Sequence, residues 1–516
     1  MRRQLKPFII FLFIIIVSLG CSNDTTNDGK DKSSDTRPNE IVYATTNDAP
    51  GLSPIDTNDS VTSDVTIQVY ETLFVLNPET MEAEPLLAES YETPDENTWI
   101  IKLREDVEFH DGTPFNAEAV KYTFDQLKDP ERGAPRGSLL APVDSIEVSD
   151  EYTVVLKTKD PYGPMLAALS HTNAAIVSPT ADQEGDINKE PVGTGPYVFD
   201  EWIQGDRIVI KRNENYWREP AQIEKVTYLV LPDMNTAISM LEAGDVNLII
   251  NFPSDHLSRI ESLNNVEVIK SEGTRVSYFG FNTEKEPYND LAFRQAVAYA
   301  IDQEAYVSQL NGLGIHNESI IGPKIFGYND EDKNEAYPYD PEKAKQLIEE
   351  NGYTGQEMKI LVSDTDNYMK MAEIVQSQLT EVGINAKLET MEWGAFLDTA
   401  RDGGFETLFL GWANSTADGS ELLYPNLHSD NIGSTNYSRY SNPEFDKIVE
   451  ESRTIVDQEA RKDVLSSANI MAMKDAPWIV MEHGTVTAAY DNSLDGVVIS
   501  PNSDWFLYDM NIKSNN

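Results

Sequence analysis

The sequence predicts an α/β protein built around more than one core, and three observations lead there. The chain has 516 residues, and at roughly 100 to 200 residues per domain that is too many for a single core. Apolar residues make up 40% and aromatics 9%, enough to offset chain entropy, so most of the chain is expected to fold. Short β-rich runs alternate with well-marked helices, and no segment repeats at a period of 20 to 50 residues, which disfavours solenoids and propellers.

The elements follow in order. Arg2, Arg3 and Lys6 precede the apolar run Phe8 to Val17, and Ser18, Leu19, Gly20 and Cys21 close it. That is the order of a basic region, a short apolar region and a small-residue cleavage site, so residues 1–20 read as a signal peptide. The apolar run is too short for a comfortable membrane span. The Gly20-Cys21 pair resembles the bacterial lipobox, which implies cleavage before Cys21 and lipid on that residue. An ordinary signal peptide with an incidental cysteine is the other reading. Residues 21–40 are almost wholly polar and read as a flexible tether. Strands are expected at Ile41–Thr45, Thr98–Leu103, Tyr152–Thr158, Asp206–Lys211, Lys225–Leu231 and Val276–Phe281, where Thr, Val, Ile and Tyr recur. Asp340 with Pro341, and Asn442 with Pro443, mark two capped helix starts. Between them Met358–Ser363, Asn367–Val382 and Ile384–Thr390 read as strand, helix and strand, a βαβ unit that predicts a parallel sheet covered by helices.

Charge and cysteine content exclude whole classes. With 40 Lys plus Arg against 87 Asp plus Glu the formal charge is −47, a field that repels phosphate backbones, so no nucleic-acid partner is expected. The lone cysteine forms no internal disulfide and no thiolate metal site. The six histidines are scattered without metal-ligand spacing, so no metal and no cofactor are expected. Neither a G-x-S-x-G elbow nor a P-loop occurs, and no catalytic residue is assigned. Pro191 to Tyr197 (P-V-G-T-G-P-Y) reads as a tight turn entering a strand, and His110-Asp111-Gly112 as turn chemistry.

Five segments in order carry a resemblance. These are W-I-I-K-L-R-E-D-V-E-F-H-D-G-T-P-F-N-A-E-A-V from Trp99, P-V-G-T-G-P-Y from Pro191 with N-E-N-Y-W from Asn213, F-N-T-E-K-E-P-Y-N-D from Phe281 running into R-Q-A-V-A-Y-A-I-D from Arg294, Y-D-P-E-K-A from Tyr339, and Y-S-N-P-E-F-D from Tyr440. Together they resemble the family 5 extracellular solute-binding proteins, the peptide- and nickel-binding subunits of ABC importers. The resemblance implies a periplasmic-binding-protein-like α/β fold, with two lobes around a cleft and a domain inserted in the first lobe. The expected limits are 41–75, 191–284 and 484–516 for lobe I, 76–190 for the inserted domain and 285–483 for lobe II. Hinges are expected near Asn282–Pro287 and Met481–Val486.

The resemblance also implies a pocket lined by Gly411–Ser420. In peptide-binding relatives an aspartate three residues after the Trp pairs with the ligand α-ammonium group. Here Ser415 holds that place and Asp418 lies six after Trp412, a form closer to the glutathione or short-peptide branch. A solvated loop or capping acid is the bland alternative for Asp418, and Glu421 and Asp48 stand next in line. Lys370 and Arg136 are the candidate cations for a ligand carboxylate. Trp393, Trp412 and Tyr278 are candidate flat walls, with core packing as the alternative for each. His171 and Asn173 are candidates for the pocket edge. The leading expectation is a lipid-anchored, extracytoplasmic, monomeric protein that captures a short peptide by cleft closure and hands it to a membrane permease. A nickel or metal-chelate binder of the same fold and, from another class, a surface hydrolase are the alternatives.

Overall fold

The computed structural model describes residues 39–364 and 366–513, side chains at 366 and 367 excepted. The signal peptide, most of the tether and Cys21 therefore lie outside the described residues. Where local chemistry is strong, elements form where it places them. Asp340 accepts a hydrogen bond from the Lys343 amide at the head of helix Pro341–Glu350. Asn442 caps helix Pro443–Thr454 in the same way. Strand Glu357–Ser363, helix Asp366–Glu381 and strand Asn385–Met391 make the expected βαβ unit, with Met358 opposite Ala386 in parallel register. The turn at Pro191–Pro196 leads into strand Tyr197–Ile203. Gly193 and Gly195 are glycines there because the loop lies on the end of helix Ser60–Val69, where a Cβ on Gly195 would stand 2.6 Å from the Gln68 carbonyl.

One long sheet runs through the molecule in the order Asn385–Met391, Glu357–Ser363, Thr407–Ala413, Val266–Phe281, Trp478–Asp491, Leu248–Ile250, Glu40–Thr45, Lys225–Val230, Arg207–Arg212, Tyr197–Ile203. The parallel sheet expected in the C-terminal half is thus part of a mixed sheet, because Val266–Phe281 joins it antiparallel to Thr407–Ala413. A separate sheet, Ala88–Asp95, Thr98–Leu103, Thr153–Thr158 and Val143–Asp150, lies within the segment expected as an insertion. Trp99, Ile101 and Leu103 are buried on its inner face, as their alternation predicts.

The two longest strands, Val266–Phe281 and Trp478–Asp491, link the two halves. Their outer neighbours change along their length: Ala488–Tyr490 pairs with Leu248–Ile250, whereas Arg275–Phe281 pairs with Thr407–Ala413. In the second half the sheet is covered on both faces. Phe279 and Phe281 enter one apolar cluster with Phe293, Val375 and Ile360, while Val276 and Tyr278 enter the opposite one with Leu410, Phe445 and Trp478. Two buried faces are the reason Val276, Tyr278, Phe279 and Phe281 are apolar on both sides of the strand's last stretch.

Candidate functional site

The crossing between halves is where the ladder breaks. Glu272 faces Thr485 and Val276 faces His483, so Gly273, Thr274 and Arg275 bulge out opposite Gly484 alone. The Thr274 amide leaves the ladder for the Pro501 carbonyl at 2.9 Å. A second slip lets Ser277 face Glu482 and Tyr278 face Val480, with Met481 the extra residue on the other strand. The expected hinge at Met481–Val486 coincides with this break. The other break sits at Gly273–Ser277, upstream of the expected Asn282–Pro287, because Val266–Phe281 is one unbroken strand that crosses before those residues are reached.

The breaks place two charged side chains in a cavity of about 430 Å³ between the halves. Phe252, Pro501 and Asn502 line it from the first half, Tyr306, Leu313 and Ser415 from the second, with Arg275 and Glu482 at the crossing. The size suits a small-molecule site, which ranges over about 300 to 1,000 Å³. The Arg275 guanidinium lies across Gly411, where a Cβ would stand 2.5 Å from Nη2, and donates to the Tyr368 hydroxyl at 2.7 Å. Glu482 Oε1 accepts from the Ser277 hydroxyl at 3.2 Å. Its Oε2 is out of reach of solvent and has no hydrogen-bond partner. Burial pushes the Glu482 carboxyl up to about 7, against the pull of the Arg275 charge and the Ser277 hydroxyl. Neither residue was singled out in the sequence. The available signal was a glutamate directly after the apolar Trp478–Met481 run and two residues before Gly484.

A second set of polar groups closes the cavity edge. His171 Nε2 and Ser415 Oγ are 2.9 Å apart, and the Asn173 amide donates to His171 Nδ1 at 3.1 Å. Burial first, then the positive charge of Arg136, pushes the imidazole down to about 3. A neutral ring that accepts at Nδ1 carries its proton on Nε2, so it donates to Ser415 and leaves the serine hydroxyl free to donate elsewhere. Asn502 Nδ2 donates to the Ser415 carbonyl at 3.3 Å. Lys370 and Asp255 pair across the cleft mouth at 2.9 Å, both exposed. These contacts join the halves across the cleft.

Of the expected site residues, Ser415 lines the cavity, and His171, hydrogen-bonded to it, lies within the field of the Arg136 charge. Arg136 donates to Asn58 Oδ1 at 2.7 Å, and burial lowers its pKa. Asn173 is tied to the Pro54 and Thr57 carbonyls at 2.6 and 2.7 Å, which spends its amide on holding that loop.

Several expectations are corrected. Asp418 is not a waiting carboxylate: Arg461 grips both of its oxygens at 2.6 and 2.7 Å, and the Ser420 amide and hydroxyl add bonds at 2.9 and 2.7 Å. Burial is the largest influence and would push that carboxyl up, but the Arg461 charge together with the hydrogen bonds from Arg461 and Ser420 outweighs it and holds the carboxyl below its usual range. The fallback acids are engaged as well. Glu421 pairs with Arg453 at 3.3 Å, and Asp48 accepts from the Trp202 ring nitrogen and the Gly205 amide. Tyr278 is no wall of the cleft, because it is 1% exposed and stacks on Trp478 with ring centroids 3.6 Å apart. Trp412 packs half-buried against the same cluster. Trp393 heads helix Trp393–Arg401 on the surface and stacks on Phe396. Lys370 is committed to Asp255.

Comparison with known proteins agrees with this architecture. Residues 82–434 match the model of the bacterial extracellular solute-binding proteins, family 5 Middle. Heme-binding protein A of Haemophilus influenzae is 30% identical over 537 residues, covering 96% of this chain and 97% of that protein. Glutathione-binding protein GsiB of Shigella flexneri is 29% identical over 488 residues, covering 92% and 94%. Among solved structures, the dipeptide binding protein from Pseudoalteromonas sp. SM9913 in complex with Met-Leu aligns with a TM-score of 0.79 at 25% identity, covering 92% of this chain and all of that one. With a family match over most of its length and both crossing strands shaping a cleft between two halves, the chain belongs to the family 5 bacterial extracellular solute-binding proteins.

Proposed function

We propose that this protein captures a short peptide, a di- or tripeptide or a glutathione-like molecule, in the cleft at the strand crossing and delivers it to the permease of an ABC importer. The observation that carries the reading is the cavity of about 430 Å³ with the Arg275 guanidinium and the Glu482 carboxyl on its walls. A peptide is a small zwitterion with hydrogen-bonding amides, and such a cavity offers a partner for each end. Relatives named for glutathione binding and solved with a dipeptide support the same class. In this reading Ser415, held by His171 beside Arg136, supplies a donor at the ligand's edge, and the ion pair of Lys370 with Asp255 latches the mouth.

The rest of the reading concerns placement in the cell. Cys21 carries the lipid anchor, residues 21–40 tether the folded part, and the protein works as a monomer outside the cytoplasm beside its permease. The lobe and insertion limits given from the sequence belong to the same proposal. Among the described residues no helix is long and apolar enough to cross a membrane. Among them too, no group of three or more His, Cys, Asp or Glu is placed to hold a metal.

The test is mass spectrometry of small molecules that co-purify with the protein, followed by incubation of stripped protein with a peptide mixture. Intact peptides protected from dilution are expected. New fragments would favour the hydrolase reading, and recovery of a metal chelate without peptide would favour the nickel-type reading.

A further inference from the structure

We propose that this protein holds a second small-molecule site, away from the cleft and within its first half, that takes a small apolar amine as its ammonium cation. The site is a cavity of about 200 Å³. An apolar cavity of about 150 Å³ is enough to take benzene, so one ring with a short head group fits. The lining comes from residues 66–86, 170–175, 196–218 and 504–509, and neither crossing strand contributes to it. Ile67, Val75, Leu76, Leu86 and Ala175 make it largely apolar, and Tyr70, Tyr216, Phe506 and Tyr508 add aromatic walls. Tyr216 and Tyr508 meet edge to face, with ring centroids 5.4 Å apart.

Two unpartnered oxygens set the chemistry of the head group. Gln68 donates to the Trp505 carbonyl at 2.7 Å and accepts from the Leu507 amide at 3.0 Å, which holds the 504–509 segment against helix Ser60–Val69. Thr66 and Asp504 thereby line one cavity. Thr66 is 3% exposed, and its hydroxyl has no hydrogen-bond partner among the described residues. Asp504 gives Oδ2 to the Asn502 amide at 2.7 Å, and its Oδ1 has no partner among them either. Unlike Glu482 Oε2, neither oxygen is sealed from solvent. Burial pushes the Asp504 carboxyl up to about 6 against the Asn502 hydrogen bond, the mark of a carboxylate short of counter-charge.

The other charges on the lining favour a cation. Glu71 is spent on the Tyr216 hydroxyl, the Trp217 ring nitrogen and the Thr194 hydroxyl at 2.7, 2.9 and 2.8 Å, and the Arg218 charge acts on it. Arg218 is exposed and rests on the Trp217 ring, 4.4 Å from its centre. With Glu71 and Arg218 offsetting each other, the charges left are Glu84, Asp504 and Asp509, all negative. An acidic ligand is repelled there, and a neutral ring leaves Asp504 unmatched. An ammonium group satisfies Asp504 and Thr66 while its apolar part lies against the tyrosines and Phe506.

The experiment uses ligand-stripped protein and three probes that share a ring and differ in head group: 2-phenylethylamine, 2-phenylethanol and phenylacetate. Calorimetry measures their affinities. The amine is expected to bind at least about tenfold more tightly than the alcohol, as a hydrogen bond to a charged, poorly solvated group implies, and phenylacetate more weakly than both. Asp504→Asn should bring amine and alcohol level. Ile67→Trp, which fills the cavity from a half-buried position, should abolish binding of both. Hydrogen exchange with the amine bound should show added protection at residues 66–72 and 504–509. The wild-type comparison and the exchange map stand even if a variant misfolds. The proposal is overturned if the alcohol or phenylacetate binds as tightly as the amine, or if no probe binds at millimolar concentration. Added protection at the crossing residues 273–277 and 482–486 instead would place the amine in the cleft and overturn it as well. A folded Asp504→Asn protein that still prefers the amine would likewise rule out the carboxylate assigned to it.

Discussion

Replacing Asp418 by Asn should cost stability rather than ligand specificity. The carboxylate and the Arg461 guanidinium are 5% and 1% exposed and form a bidentate pair over the Phe326 ring, whose centroid lies 5.0 Å from the guanidinium carbon. Removing one member of such a pair leaves an uncompensated buried charge, a loss of about 3 to 5 kcal/mol. The deficit belongs to the unpaired Arg461, so Asp418→Leu combined with Arg461→Met should recover most of it. The assay is urea unfolding of the soluble chain at pH 7.5, with the two singles and the double compared as a cycle. The pH dependence has a definite sign. Asp418 is held below its unfolded value, so its contribution is full above the ordinary Asp range and is lost as pH falls through the folded value. The reasoning is refuted if Asp418→Asn stays within about 0.5 kcal/mol of wild type while free-peptide affinity drops thirtyfold and acetylated-peptide affinity does not.

Glu482→Gln should change the pH profile of the ligand-free protein. Because the folded carboxyl titrates near 7, the wild type loses stability as pH rises from the ordinary Glu range to about 7, by at most about 3 kcal/mol. Asp64 and Asp504, raised by burial to about 7 and about 6, push the same way, whereas His110, His171 and His483, lowered to about 4, 3 and 4, push the other. The wild-type minus variant difference across pH 5 to 8 is therefore the informative quantity, and a flat difference would contradict the Glu482 burial argument. Lys370→Ala should raise the radius of gyration of the ligand-free protein in scattering while changing stability by under about 1 kcal/mol, since the pair with Asp255 is exposed. The effect should disappear near 1 M salt, where the Debye length is about 3 Å. Cys21→Ala should release the protein from membranes or leave its signal uncleaved. Membrane-bound, cleaved variant would show that the anchor lies elsewhere.

What the sequence determined by itself was local or class-level. Asp340-Pro341 and Asn442-Pro443 start their helices because a cap needs only the residue, its backbone and the next turn. The βαβ unit at 357–391 is legible for the same reason, its periodicity being written within 35 consecutive residues. The ordered motifs identify the family because they are scaffold chemistry: Trp99, Ile101 and Leu103 are buried strand residues, and Gly195 lets a loop lie on a helix end. Ser415 and His171, named from the sequence, are hydrogen-bonded neighbours, with the Arg136 charge acting on the imidazole. Only the tertiary structure decided which charges are free. Asp418 looks available until Arg461, 43 residues on, is folded against it. Tyr278 looks like a binding surface until Trp478 is stacked upon it. Conversely, Glu482 meets Ser277 across 205 residues of chain, and Arg275 reaches the cavity only because the ladder slips twice at that point. A carboxylate or guanidinium is defined by its partners, and those partners come from strands that neighbour each other in space and not in sequence.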